Sequence, residues 1–390
     1  MDFRFTQEEE KFRQEIREFL KRELPPDWTG WPVLGEADTD EDWAFCRQMT
    51  RKLAERGWLA IGWPKEYGGQ GASYIMQIIL SEEINYHQSP GMDFMGIGML
   101  GPALMAHGAE EQKRRYLPGI ARAEVVWCQG FSEPNAGCDL ASLQTRAVET
   151  DDCFIANGQK LWTSNAHRAD WCFFLARTDP EAPKHKGISF LLVDLKTPGI
   201  TIRPLVNIAN GRSFNEVYFD EVRVPKENLV GQKNRGWQVA QTLLGHERSG
   251  IHRIASARRN ADLLIEYARE TGLGKDPLIK QKLVQLTIEG DIARLLAYRV
   301  GWLQTTGQAV EYEASMSRVY GAEYQQRVAR VGMQILGLYG QLAKDSKWTK
   351  LYGKIEEDYL CSIGATLAAG TSEIQRNIIA LRGLDLPRGN

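Results

Sequence analysis

A change in hydrophobic period about a third of the way along the 390-residue chain most constrains its fold. Six short runs of β-branched and aromatic residues follow one another there, separated by turn signals such as Asn157-Gly158 and Pro198-Gly199. No helical pattern intervenes, so the runs predict an antiparallel sheet or barrel rather than βαβ units. The predicted strands cover residues 125–131, 154–162, 171–177, 188–195, 200–206 and 216–224.

Helical patterns flank this block on both sides. Thr6 and Glu9 form a capping-box sequence, and apolar residues at helical spacing follow them. From Trp237 onward the chain is helical in pattern again. A chain of this length also exceeds what one hydrophobic core usually supports. We therefore predict an α+β fold of three domains: N-terminal helical (1–122), middle β (123–231) and C-terminal helical (232–390).

Composition argues against several classes of protein. Lys and Arg number 48 against 50 Asp and Glu, so a nucleic-acid binder that neutralises many phosphates is disfavoured. The longest stretch without a charged residue, 94–109, is too short and too broken for a membrane span. The six cysteines form no CxxC pair and no HExxH occurs, which disfavours a metal site and a disulfide framework. No leader pattern opens the chain, so we expect a soluble, cytoplasmic protein.

The stretch Gly96–Gly101 matches the GxGxxG pattern of dinucleotide-binding folds. That fingerprint requires a strand before it and a helix that begins at the glycines. Here a helical pattern and Ser89-Pro90-Gly91 precede it, and Pro102 follows. We therefore expect these glycines to permit close helix packing rather than to bind a dinucleotide.

Three other segments have the chemistry of ligand sites. Ser132–Asp139 ends the first predicted strand with a hydroxyl and with backbone amides among small residues, which a ligand can approach closely. Gln159–Ser164 puts an indole and hydroxyls on a β segment, which suits a flat ring beside hydrogen-bond donors. Gly370–Arg376 predicts a loop feeding a helix N-terminus, where free amides favour an anion. Taken singly, the first is also typical of a strand-end turn and the last of a plain helix cap.

Together, and in this order within a helix–β–helix chain, the three segments resemble the acyl-CoA dehydrogenase family. Trp127–Pro134 and Gly245–Gly250 are similar to the pimeloyl-CoA dehydrogenase large subunit and the steroid side-chain dehydrogenases within that family. The resemblance covers nearly the whole chain. It implies FAD in a cleft between the β domain and the C-terminal helices.

The resemblance also implies which positions contact the cofactor. The residues implied to line the isoalloxazine are Gln129, Phe131, Ser132, Trp162 and Ser164. Thr371 and Glu373 are implied to contact the flavin and its diphosphate. Gln334 and Gly337 lie in a loop that is implied to contact the FAD of a neighbouring subunit. Cys138 stands where the family usually has a serine near the pantetheine arm of the thioester, and a thiol is the weaker hydrogen-bonding group. Whether Arg269 reaches a neighbouring subunit's FAD is left open by this chain's departure from the family's pattern there.

The catalytic base is the main departure from the family. The reaction implied removes a proton α to the thioester and a hydride from the β carbon, so it needs a carboxylate and donors to the thioester oxygen. The usual glutamate position is Ala369, which retains only its backbone N–H as a donor. A minority of the family carries the base on a C-terminal-domain helix next to an arginine, and the matching dipeptide is Glu247-Arg248. We therefore assign Glu247 as the base, with Arg248 holding local structure and charge at the substrate.

The function implied is oxidation of an acyl-CoA to the trans-2-enoyl-CoA, as in β-oxidation of lipids or steroid side chains. Electrons would pass to an electron-transfer flavoprotein, and the assembly would be a homotetramer or an α2β2 tetramer with a second chain. Two alternatives stay open: a non-catalytic subunit that completes a partner's FAD site, and a flavin oxidase or monooxygenase on the same scaffold. The acyl group and the residues binding the CoA 3′-phosphate are not predicted.

Overall fold

The computed structural model describes residues 4–30, 39–244 and 249–388. They fall into two compact units. Within the described ranges, the helical unit draws on residues 4–30, 72–90 and 249–388, and the sheet unit on residues 39–71 and 91–244. The element order is helices, then a sheet, then helices, so the predicted α+β fold class is confirmed. The three-domain boundaries stay a prediction.

The helical unit is built from amphipathic helices around one another. The predicted capping box starts the first helix, where Thr6 Oγ1 accepts from the N–H of Glu9 at 3.2 Å and Glu9 Oε2 accepts from the N–H of Thr6 at 2.8 Å. The helices of this unit are α1 Gln7–Glu23, α3 Tyr74–Tyr86, α7 Ile251–Glu270, α8 Pro277–Thr305, α9 Glu313–Leu336, α10 Lys354–Ala365 and α11 Ser372–Ile378.

The described residues of the sheet unit form eight strands, two more than the sequence predicts. Its helices are α2 Asp40–Glu55, α4 Gly101–His107, α5 Glu110–Ala121 and α6 Gly236–Leu244. Its strands are β1 Trp127–Gly130, β2 Arg146–Glu149, β3 Cys153–Lys160, β4 Trp171–Arg177, β5 Ile188–Asp194, β6 Ile200–Leu205, β7 Phe214–Pro225 and β8 Leu229–Val230. Their order is β6-β7-β3-β2-β4-β5-β8, with β1 beside β4. The pairing is mainly antiparallel, but β4 runs parallel to both β1 and β2.

Both faces of the sheet are buried. Along β4 the side chains alternate between two cores, as the two-residue period of a strand requires. Phe173 stacks on Phe190 of β5, with ring centroids 5.7 Å apart, in the core shared with α4 and α5. Phe174 stacks on Phe219 of β7 at 4.8 Å in the core of the other face. The near-continuous apolar run of β4 follows from this double burial.

The GxGxxG stretch is helical, which confirms the packing interpretation. Phe94–Leu100 form a π-helical turn that leads into α4. Asp93 caps it, its Oδ1 accepting from the N–H of Gly96 at 2.8 Å. A Cβ added to Gly101 would lie 1.9 Å from the Trp63 ring, so only glycine fits there. Within the described ranges, no helix combines the length and the apolarity needed to cross a bilayer.

A buried ionic network connects α1, α3 and α8 in the helical unit. Glu82 accepts hydrogen bonds from Arg13 at 2.9 Å and from the Tyr298 hydroxyl at 2.6 Å, and it also pairs with Arg294. Glu83 accepts from Arg17 at 2.8 Å. Burial alone would raise the pKa of Glu82, but the bond and charge of Arg294, with Tyr298 and Arg13, lower it to about 2.

This pKa predicts acid-sensitive stability. A depressed folded-state pKa contributes stability that is present above the unfolded pKa of about 4.3 and is lost as pH falls towards the folded value, roughly 3 kcal/mol for such a shift. We expect Glu82→Gln to lower the thermal unfolding midpoint at neutral pH and to flatten its decline between about pH 5 and pH 2. The control is Glu323→Gln, which removes a more exposed pair with Arg376. Parallel midpoint-against-pH curves for wild type and Glu82→Gln would contradict this prediction.

Candidate functional site

Two of the three predicted motif segments meet at the ends of β1 and β3. The N–H of Leu161, just after β3, donates to the carbonyl of Ser132, just after β1, at 2.8 Å. The ammonium of Lys160 donates to Glu133 Oε1 at 2.7 Å and to the Phe131 carbonyl at 3.4 Å. The Ser132–Asp139 loop is therefore fixed to the Gln159–Ser164 segment by both main-chain and side-chain bonds.

The Lys160–Glu133 ion pair that joins them is deeply buried. Lys160 is 0% exposed and Glu133 is 8% exposed. Glu133 also accepts from the N–H groups of Gln144 at 2.6 Å and Thr145 at 3.0 Å. Burial would raise the pKa of Glu133, but Lys160 and these donors outweigh burial and lower it. Glu133 is therefore a carboxylate at neutral pH. Its charge stabilises the loop through the bonds from Lys160, Gln144 and Thr145.

Trp162 is a large flat side chain held at an exposed position. Its indole is 57% exposed, and its backbone is in the left-handed region at φ +60°. The next residue is fixed on both sides, because the Thr163 N–H donates to the Asn215 carbonyl at 3.0 Å and the Asn215 amide donates to the Thr163 carbonyl at 2.9 Å. The Phe214 ring meets the indole edge-on at 5.8 Å. An exposed ring on so fixed a backbone is suited to stacking on a planar ligand.

Polar groups without partners accompany this indole. The hydroxyls of Ser132 and Ser164 make no hydrogen bond to any described residue, and the amide nitrogen of Gln129 is buried without an acceptor. Buried polar atoms normally have a partner, so an orphaned one points to a ligand. A planar heterocycle with carbonyl and ring-nitrogen atoms carries the hydrogen-bond acceptors that such donors need. The residues of the sheet unit therefore fit the isoalloxazine of FAD.

Two other predicted residues of the sheet unit have different surroundings. Phe131 is buried, with its ring edge-on to Phe173 at 5.9 Å and to Phe190 at 6.1 Å, so its side chain belongs to the core. Only its main chain is left to contact a ligand. Cys138 is exposed in the loop beside Asp139, which pairs with Lys184. A role for Cys138 at the pantetheine arm stays a prediction.

The third motif begins the last helix of the helical unit. Thr371 caps α11, its Oγ1 accepting from the N–H of Ile374 at 3.2 Å. Glu373 is exposed, and its own backbone N–H and the Thr371 hydroxyl lower its pKa. Before them, Ala369 and Gly370 have φ of +54° and +86°. The predicted helix start is therefore present, although its contacts with FAD stay predictions.

The predicted cross-subunit loop lies at the end of α9. Gln334 Oε1 accepts from the Lys282 ammonium at 2.6 Å. Gly337 has φ +56°, and a Cβ added there would meet nothing within 4 Å. The following Leu338 is 82% exposed. Arg269 is exposed at the end of α7, where nothing in the described structure tests its relation to FAD.

The predicted base, Glu247, and its neighbour Arg248 lie outside the described residues. The first described residue after them is buried and anchored, because the carbonyl of Ser249 accepts from the Ser317 hydroxyl at 2.6 Å. Ser317 belongs to α9, and its neighbour Arg318 donates to the carbonyls of Ala365 and Ala368.

Sequence reasoning missed the supporting roles of four residues: Lys160, Glu133, Asn215 and Arg318. Lys160 and Glu133 both lie in quoted motifs, so their opposite charges were an available signal for pairing. Asn215, which holds the Trp162–Ser164 segment, lies in no motif. Arg318 lies within a long helix and has no local signature.

Removing the indole tests the stacking surface. We expect Trp162→Ala to raise the FAD dissociation constant roughly two- to tenfold, since an aromatic contact contributes roughly 0.5–1.5 kcal/mol. Stability without FAD should hardly change because the side chain is largely exposed. Trp348→Ala, at another exposed tryptophan, is the control. The change in flavin fluorescence on binding measures both, and equal FAD affinities in the two variants would refute the role of Trp162.

Comparisons with known proteins agree with this geometry. The chain matches the N-terminal, middle and C-terminal domains of acyl-CoA dehydrogenases over residues 6–124, 128–222 and 234–384. It is 36% identical to acyl-CoA dehydrogenase IpdE1 of Mycobacterium tuberculosis, over 98% of this chain and 99% of that one.

Solved structures of the same family superpose over the whole chain. The Tcur3481-Tcur3483 steroid ACAD matches with a TM-score of 0.92 and 35% identity, covering 100% of both chains. The ChsE4-ChsE5 complex from Mycobacterium tuberculosis matches with a TM-score of 0.90 and 32% identity, again covering 100% of both. This chain therefore belongs to the acyl-CoA dehydrogenase family of flavoprotein oxidoreductases.

Proposed function

We propose that this protein binds FAD and oxidises an acyl-CoA thioester to the trans-2-enoyl-CoA. The observation that carries the proposal is the fixed junction of β1 and β3, where the Trp162 indole is exposed and the hydroxyls of Ser132 and Ser164 have no partner among the described residues. FAD, when bound, supplies the acceptor for the hydride that leaves the β carbon. Electrons then leave to an electron-transfer flavoprotein.

The chain's own residues supply the acid–base chemistry. Glu247 takes the α-proton, because position 369 offers only a methyl group where the family usually has its glutamate. Arg248, the next residue in the chain, provides a positive charge that compensates the carboxylate of Glu247. The Ala369 N–H donates to the thioester oxygen as negative charge develops there.

We further propose an α2β2 assembly with a second, related chain rather than a homotetramer. The Tcur3481-Tcur3483 steroid ACAD and the ChsE4-ChsE5 complex each combine two differently named chains. In this protein α8 has an exposed apolar stripe at helical spacing, whose side chains are between 42% and 51% exposed. Its residues are Val284, Ile288, Ile292 and Leu295. Such a stripe needs a covering surface in solution.

Because the Tcur3481-Tcur3483 relative is a steroid ACAD, a steroid side-chain thioester is our proposed substrate class. The test is anaerobic titration of the purified protein, with any chain that co-purifies, using straight, branched and steroid-side-chain acyl-CoAs. We expect a yellow protein whose flavin absorbance is bleached fastest by the steroid thioesters. Bleaching only by straight-chain thioesters would refute the proposed substrate class.

The same titration separates the two alternatives. A colourless chain that gains FAD only from a partner's site would identify a non-catalytic subunit. A flavin that is reduced and then reoxidised at once by air would identify an oxidase or monooxygenase. We favour a chain that binds its own flavin, because the hydroxyls of Ser132 and Ser164 can donate hydrogen bonds and the Trp162 indole is exposed.

A further inference from the structure

Arg318 makes a specific contact with the peptide that precedes Ala369. It lies near the start of α9, and its Nη2 donates to the Ala365 carbonyl at 2.7 Å and to the Ala368 carbonyl at 2.5 Å. The first carbonyl is at the end of α10, where a cation is favourable. The second carbonyl belongs to Ala368, in the turn that follows α10. Ala368 directly precedes Ala369, the position where the family usually has its glutamate.

Peptide geometry turns this contact into an orientation of the Ala369 N–H. The Ala368–Ala369 peptide is trans, so its N–H points opposite to the carbonyl that Arg318 holds. The neighbouring N–H groups are used, since those of Leu367 and Ala368 donate to the Gly364 carbonyl and that of Ser372 to the Thr366 carbonyl. No acceptor for the Ala369 N–H lies among the described residues. Its direction leaves it available to a ligand.

The backbone at Ala369 is strained, so its conformation must be stabilised by contacts from other residues. Its φ is +54°, in the left-handed region, which is unfavourable for a residue with a Cβ. Such a conformation persists only where its surroundings determine it. The two bonds from Arg318 provide that restraint on the preceding residues.

The charge of Arg318 is directed at these carbonyls. No carboxylate forms an ion pair with it in the described part of the chain, and its Nε is buried without a partner. Burial, with the nearby Arg253, lowers the pKa of the guanidinium to about 9, so it remains charged at neutral pH. A cation on a carbonyl polarises the peptide and strengthens its N–H as a donor.

We propose that Arg318 is a positioning residue that orients and polarises the Ala368–Ala369 peptide, so that the Ala369 N–H stabilises negative charge on the thioester oxygen. The inference rests on the proposed function. The hydrogen bond from the Ala369 N–H to the thioester oxygen becomes strongest when the α-proton leaves, because negative charge then accumulates on that oxygen. Removal of one such donor typically costs about 10²–10³ in rate, so its misorientation should cost about 10–100-fold.

The test compares Arg318→Met and Arg318→Lys with a matched control, Gln326→Met. Gln326 also connects α9 to the end of α10, donating to the Ser362 carbonyl at 3.1 Å and to Thr366 Oγ1 at 3.2 Å, but it does not contact the Ala368 carbonyl. The first readout is the anaerobic rate of flavin bleaching as a function of acyl-CoA concentration. The second is the fraction of a bound 3-oxoacyl-CoA present as its enolate, followed by ultraviolet absorbance across pH.

We expect Arg318→Met to bleach about 10–100-fold more slowly at saturation, with half-saturation little changed, and to hold about tenfold less enolate at a given pH. Arg318→Lys should recover part of both, because an ammonium can still donate to one carbonyl. Gln326→Met should resemble wild type. If Arg318→Met does not fold, the partial loss in Arg318→Lys provides the same comparison.

Equal effects of Arg318→Met and Gln326→Met on the enolate fraction would overturn the inference, as would slowed bleaching with an unchanged enolate fraction. Failure of the proposed function looks different. In that case the wild-type flavin is not bleached by any acyl-CoA, and the inference falls with it.

Discussion

Glu247→Gln is expected to slow anaerobic bleaching of the flavin by acyl-CoA by a factor on the order of a thousand, with FAD content unchanged. A glutamine cannot accept the α-proton, and a positioned base typically contributes about 10²–10⁴ in rate. Alanine at position 369 offers no second carboxylate where most of the family has one. Stopped-flow absorbance of the oxidised flavin, with FAD content measured on the same samples, makes the comparison.

The control for this prediction is Glu270→Gln, at an exposed carboxylate at the end of α7. It should bleach at the wild-type rate. If Glu247→Gln also retained that rate while binding acyl-CoA normally, the base would have to lie elsewhere in the chain or in a partner chain.

Lys160→Met is expected to have the largest effect on stability and on FAD retention. The substitution leaves the carboxylate of Glu133 buried without its cation, and breaking a buried pair in this way costs about 3–5 kcal/mol. The Phe131–Glu133 segment would lose its hold on the end of β3, so FAD content should fall as well. Denaturant unfolding and flavin content are the measurements.

Two companion variants make this prediction specific. Lys160→Met with Glu133→Gln removes both charges and should recover much of the lost stability, since a neutral pair leaves no buried charge uncompensated. Lys184→Met breaks the exposed pair with Asp139 and should cost less than about 1 kcal/mol. Equal losses for Lys160→Met and Lys184→Met would contradict the importance of burial.

The strands that sequence reasoning found lie in short runs rich in β-branched and aromatic residues, bounded by turn signals. β4 was predicted with its observed ends because both of its faces are buried. β2, Arg146–Glu149, was missed because only Ala147 among its four residues is buried, and β8 because it has two residues. The parallel pairing of β1 with β4 is a long-range register, and no local pattern encodes it.

In the candidate site, as in the sheet, local features were predictable from the sequence and long-range contacts were not. The motif segments around Ser132, Trp162 and Thr371 were identifiable because their chemistry is local to each segment. The Lys160–Glu133 pair and the Asn215 bonds join residues at least 27 positions apart, so they depend on the tertiary fold. Arg318 acts 50 positions away, on Ala368, for the same reason.

The GxGxxG stretch shows why a motif needs its structural context. Its helical nature was predictable from the flanking pattern, because no strand run precedes it. Its π-helical widening was not, since that geometry depends on the Asp93 cap and on the close approach of Trp63 to Gly101. A π turn of this kind is a tertiary feature.

The claim that the base has moved to Glu247 is tested most directly by proton exchange without oxidation. A thioester such as 3,3-dimethylbutyryl-CoA has α hydrogens but no β hydrogen to transfer, so deuterium uptake from D₂O reports proton abstraction alone. We predict that the wild-type protein incorporates deuterium at the α carbon, measured by mass spectrometry, and that Glu247→Gln does so at least about a hundredfold more slowly. Equal incorporation by the two proteins would contradict the assignment.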